Sequence, residues 1–134
     1  EAYNTDDRRR IAGVLWNRLS IGMPLQSDVT ALYDAARLGL ITTPLDGKQI
    51  AAIQHLDLPY NTYRTKGLPP GPIGNPSLDS LTAAVDPIKS ACLYYVADDA
   101  GITFFSRTYA QHLRTIYEIT HHLENKKSTV RCGS

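Results

Sequence analysis

Three polar clusters hold the residue types that could do chemistry. Glu1 opens the chain with a carboxyl group. Asn17 to Asp28, NRLSIGMPLQSD, offers the amides of Asn17 and Gln26, the hydroxyl of Ser27 and the carboxylate of Asp28. Tyr60 to Pro76, YNTYRTKGLPPGPIGNP, offers Tyr60, Asn61, Thr62, Tyr63 and Asn75, with Leu68, Pro69, Pro70 and Gly71 between them. Amides and hydroxyls bind ring hydroxyls, and aromatic faces cover the apolar sides of sugars, so the mixture suits an oligosaccharide. Each residue alone has a plainer reading. Asn17 could brace a turn, Gln26 could lie on the surface, Tyr60 and Tyr63 could belong to the core, and Asn61 and Thr62 could brace the loop.

The elements that would position these groups follow from pattern. Proline removes donors and clashes with a preceding helical turn, so Tyr60–Pro76 is a long, stiff loop. Thr5 before two acids reads as a cap, with Ile11, Val14, Leu15 and Leu19 at helical spacing and Gly22 as the stop. Ser27 or Asp28 caps a second helix through Val29 to Leu38. A short helix is expected within Leu45 to Leu56. Asn75-Pro76 reads as cap and first position of the helix SLDSLTAAV. CLYYVA and ITFFS flank the turn signal DDAG and predict a β-hairpin over Leu93 to Ser106. Ser106 or Thr108 starts a last helix, with Tyr109, Leu113, Ile116, Tyr117, Thr120 and Leu123 on one side. The reading is α+β: a single domain of several helices with a small antiparallel hairpin or sheet over residues 1–126, then a polar tail over 127–134.

Bulk properties exclude several classes. The 134 residues are 43% hydrophobic with a formal net charge of +1, so no basic footprint for nucleic acid is visible. No apolar run approaches a membrane span. Cys92 reads as a small buried hydrophobe and Cys132 as part of the polar tail; a disulfide between them is open, not implied. No His/Cys spacing points to a metal, and His121 and His122 read as surface or helix-end histidines. No cofactor is implied.

Taken together, VLWNRLSIGMPLQSDVTALY, PYNTYRTKGLPPGPIGNP and LYYVADDAGITFFSRTYAQH resemble the catalytic domain of the YceG-like (MltG) endolytic murein transglycosylases, in the same order and across Glu1 to about His112. Val29, Ser77 and Thr103 stand where the family pattern has Pro, Gly and His. The resemblance implies cleavage of the β-1,4 bond between N-acetylmuramic acid and N-acetylglucosamine in peptidoglycan strands, with a 1,6-anhydro end. It implies a lysozyme-like cleft, with Glu1 as the acid and then the base. It implies the YNTY and LQSD segments as walls of a glycan groove, with Asp28 as a cap or supporting carboxylate. A muramidase-type hydrolysis of the same bond, with Asp28 as the second carboxylate that places the water, or a glycan-binding scaffold without cleavage, are the other readings of the same residues. The resemblance also implies action outside the cytoplasmic membrane, in a parent anchored by an N-terminal transmembrane helix, with cell-wall synthases as possible partners. Lacking an initial Met, the chain reads as a piece of that longer protein.

Overall fold

The computed structural model describes residues 4–41, 44–123 and 129–132. These form α1 (Thr5–Ser20), α2 (Asp28–Arg37), α3 (Gly47–Gln54), α4 (Leu78–Val85), β1 (Tyr94–Ala97), β2 (Thr103–Ser106), α5 (Tyr109–Thr120) and β3 (Val130–Arg131). The α+β reading holds. The chain divides into two compact units, Glu1–Asn17 with Pro76–Ser134, and Arg18–Asn75.

In the first unit, α1 starts one residue earlier than its pattern predicts. Asn4, not Thr5, supplies the capping oxygen, accepting the Asp7 N–H at 2.8 Å. The carbonyl of Arg9 receives the Ile88 N–H at 3.0 Å. That approach brings backbone so close that a Cβ on Gly13 would strike the Ile88 carbonyl. Ser77, rather than Asn75-Pro76, caps α4, its hydroxyl accepting from Ser80 N–H. The prolyl residue thus precedes the helix instead of entering it.

The hairpin is as expected, with Tyr94 opposite Ser106 and Ala97 opposite Thr103. The tail is not. Val130–Arg131 pairs parallel to β2, so the sheet is mixed, in the order β1-β2-β3. Cys132 is disulfide-bonded to Cys92, with Cα atoms 5.3 Å apart. Val14, Cys92, Phe105 and Cys132 form the core of this unit. One apolar residue and one cysteine inside a polar stretch were enough to dock it, which a compositional reading of the tail passes over.

Helix α5 also turns a different face inward. Tyr109, Leu113, Ile116, Tyr117 and Leu123 are exposed, while Thr115 is fully buried. Thr115 satisfies its hydroxyl on the Gln111 carbonyl and receives Arg131 Nη1 at 3.1 Å. Arg131 also meets Glu118 at 2.9 Å. A partly buried ion pair beneath the helix, tied to β3, replaced the apolar stripe that spacing predicts.

In the second unit, the last turn of α1 ends in a Schellman closure. Gly22, at φ +69°, donates to Leu19, and Met23 donates to the Arg18 carbonyl. The Arg18 guanidinium is buried and holds the carbonyls of Pro24 and Leu25 at 3.3 and 2.8 Å. Ala31, Ala35 and Ile53 pack α2 on α3, with Leu45 and Leu58 against them. Asp46 and Gln49 form a reciprocal capping box at the start of α3.

Candidate glycan site

The YNTY segment of the second unit is built from within. Asn61 is fully buried. Its Nδ2 lies 3.4, 2.9 and 2.7 Å from the carbonyls of Ile53, Gln54 and Leu56, and its Oδ1 accepts the Tyr63 N–H at 3.1 Å. The end of α3 leaves carbonyls without helical partners, and a primary amide is the side chain that can serve several at once.

Thr62 is 1% exposed and stitches this segment to LQSD. Its Oγ1 accepts from Ser27 N–H at 2.9 Å and shares a hydrogen bond with Thr30 Oγ1, while its carbonyl accepts from Gln26 N–H at 3.3 Å. The expectation that Asn61 and Thr62 reach sugars is therefore corrected. Both have their polar atoms turned onto the protein, so they brace the wall. Ser27 occupies the cap position of α2 but its hydroxyl makes no cap bond.

Asp28 begins α2 rather than capping it. Its exposed Oδ1 accepts from Gln54 Nε2 at 2.6 Å and from the Tyr63 hydroxyl at 2.7 Å. It thereby fixes the Tyr63 ring, which is half-buried.

Tyr60 has its own support, which spacing did not single out. Asp34 is fully buried. One of its oxygens accepts the Tyr60 N–H at 3.1 Å, and the other holds Arg37 at 2.6 and 3.1 Å. The Arg37 guanidinium lies 5.8 Å from the Tyr60 ring centre, and Tyr33 stands at 5.0 Å on a tilted plane. The Asp34 hydrogen bond and charge raise the Arg37 pKa above its usual value. The three-residue spacing of Asp34 and Arg37 on α2 was the available signal.

The remaining residues face outward. Gln26 is exposed, its side-chain amide makes no hydrogen bond among the described residues, and its φ is +52°. For a residue with a Cβ that is a sparsely populated backbone region, kept here by the hydrogen bond to Thr62. Leu68 is 70% exposed, Pro70 and Asn75 are exposed, and Pro69 and Gly71 are half-buried. A Cβ on Gly71 would sit 3.2 Å from the Tyr60 hydroxyl, so glycine lets the loop close on that ring.

Asn17 belongs to the first unit, where its amide nitrogen holds the carbonyls of Ser90 and Cys92, each at 2.9 Å. It too braces a turn ahead of a strand, against the expectation of a substrate contact. Glu1 lies outside the described residues. Among the described residues no group of three potential metal ligands occurs. His121 ends α5, exposed, with its ring on Tyr117 at 4.0 Å.

The first unit carries a cavity of about 360 Å³ between α1, α4 and the sheet. Ile11, Leu15, Ala83 and Tyr95 make its apolar walls, and Arg8, Ser80 and Thr103 are its polar members.

The model of the YceG-like family matches residues 1–118. The chain is 39% identical over 119 residues to the endolytic murein transglycosylase of Streptococcus pneumoniae strain D39, covering 88% of this chain and 21% of that protein. It is 40% identical over 116 residues to the protein of the same name from Bacillus subtilis strain 168, covering 84% of this chain and 29% of that one. A putative YceG-like protein of Listeria monocytogenes has the same fold, with a TM-score of 0.71 and 41% identity over 84% of this chain and 35% of its own. The chain thus spans less than a third of these curated relatives. A braced YNTY loop, a LQSD segment knitted to it, and a family match over most of the length agree: the chain belongs to the YceG-like family.

Proposed function

We propose that this chain is the catalytic part of an endolytic peptidoglycan lytic transglycosylase, which cuts the β-1,4 bond between N-acetylmuramic acid and N-acetylglucosamine. The observation that carries the reading is the 39–40% identity to proteins named endolytic murein transglycosylase over most of this chain. One carboxyl group serves twice. Protonated Glu1 gives its proton to the glycosidic oxygen as the bond from C1 breaks; the resulting carboxylate then takes the C6 hydroxyl proton as O6 bonds to C1. Atoms balance without water, because the nucleophile belongs to the sugar. Ordinary glycosidases instead place two carboxyls about 5 Å or about 6.5–9.5 Å apart.

In this reading Gln26, Tyr60 and Tyr63, with Leu68, Pro69, Pro70, Gly71 and Asn75 of the loop, form one wall of a lysozyme-like groove. Gln26 offers its uncommitted amide and the two rings offer faces. Asn61, Thr62, Ser27 and Asp28 keep this wall stiff, so less entropy is lost when a strand is bound. Peptidoglycan lies outside the cytoplasmic membrane, and the Cys92–Cys132 disulfide suits that oxidising side. An anchored parent and cell-wall synthase partners belong to the same proposal. The test is Glu1→Gln in the full-length protein acting on purified strands. Cleavage should fall by at least roughly a hundredfold; unchanged cleavage removes Glu1 from its role.

A further inference from the structure

We infer that the cavity of the first unit receives the lactyl–alanyl arm of a muramoyl residue, the methyl-bearing acyl chain that distinguishes this sugar from its neighbour in the strand. The inference rests on the peptidoglycan reading above. The walls suit such an arm and not a bare sugar ring. Ile11, Leu15, Ala83 and Ala84 are apolar, and a ring hydroxyl turned onto them would lose its hydrogen bonds to water without replacement. The lactyl and alanyl methyl groups meet small alanine side chains at no such loss.

The arm also needs a few polar partners for its amide, and the cavity has them. Thr103 is 5% exposed, and its hydroxyl makes no hydrogen bond among the described residues. The residue lines the cavity, where an amide carbonyl could accept from its hydroxyl. Arg8 binds Asp79 at 3.0 Å through Nη1 alone, which leaves its other N–H groups for the carbonyls or the acid farther along the stem. Cavity volume, about 360 Å³, lies at the low end of small-ligand sites, in keeping with a short arm rather than a disaccharide.

The test reads binding on this chain, by methyl NMR, with N-acetylmuramoyl-L-alanyl-D-isoglutamine as the probe and N-acetylglucosamine as the control. The methyl signals of Ile11, Ala83 and Ala84 should shift and saturate with the muramoyl probe and stay in place with the control. Ala84→Leu, at an exposed helix position bordering the cavity, should weaken probe binding about tenfold or more by filling it. Thr103→Val keeps the shape and removes the hydroxyl; binding should weaken about fivefold. Shifts equal for probe and control, or methyl signals unmoved at saturating probe, overturn the inference. A chain that binds the probe in this cavity yet cuts no strand contradicts the proposed reaction and leaves the cavity's ligand standing. A protein that cuts strands while these methyls stay unmoved has the opposite meaning.

Discussion

The buried carboxylate of Asp34 holds the backbone N–H of Tyr60 at 3.1 Å, so the first ring of the YNTY segment is fixed from beneath by a charge on α2. The same carboxylate is neutralised by Arg37, which is itself half-exposed. Removing one partner of a buried pair leaves the other uncompensated. Arg37→Ala, which leaves the fully buried Asp34 carboxylate without its cation, should therefore be the more destabilising change, whereas Asp34→Ala leaves a half-exposed guanidinium that water can solvate and should have the smaller effect. Urea unfolding of both variants checks the order. Equal, small losses would show that the pair merely decorates the surface.

Asn61 presents a second case in which polarity is structural. Asn61→Ala strips the carbonyls of Ile53, Gln54 and Leu56 of a shared donor and should lower stability by about 2–3 kcal/mol. Asn61→Asp should be worse, because a carboxylate oxygen would replace the amide nitrogen among three carbonyl oxygens. If Asn61→Asp is as stable as the parent chain at neutral pH, the bracing assignment is wrong.

At Gly13 two principles oppose one another. Alanine is favoured over glycine inside a helix by about 1 kcal/mol. Against that, its Cβ would collide with the Ile88 carbonyl, whose segment is hydrogen-bonded to α1 through Arg9. Overpacking of backbone typically costs about 1–3 kcal/mol. Gly13→Ala is expected to be net destabilising in thermal melts; a raised midpoint would mean that the segment yields freely.

The Cys92–Cys132 bridge closes a sequence separation of 40 residues and pins β3 beside β2. Chain-entropy reasoning assigns about 4 kcal/mol to such a closure. Reductant, or Cys132→Ala, should lower the urea midpoint by a corresponding amount. An unchanged midpoint would show that the core of Val14 and Phe105 holds the strand without the bond.

The helices and the hairpin were legible because their signals are local: apolar periodicity, Gly22 as a stop, and DDAG between two runs of β-formers. Cap identities slipped by a residue or two, since Asn4 competed with Thr5, and Ser77 with Asn75, for the same orphan donors. What the sequence did not reveal was non-local. The apolar-looking stripe of α5 faces solvent because Thr115, Glu118 and Arg131 satisfy one another beneath it, and Arg131 comes from a stretch that composition marks as tail. The candidate site divided along the same line. Residue types single out segments, but amides and hydroxyls look alike in sequence whether they meet a sugar or a carbonyl of the chain. Asn61 and Thr62 proved to be of the second kind, while Gln26 remained open.

The oxygen source of the new sugar end tests the central claim most directly. The full-length protein would digest purified strands in heavy-oxygen water, and the products would be weighed by mass spectrometry. Internal closure by the C6 hydroxyl predicts muramic acid ends that are lighter by one water than hydrolysed ends and carry no solvent oxygen. Ends that take up one heavy oxygen each, at the full mass of a reducing sugar, would contradict it and make the enzyme a hydrolase.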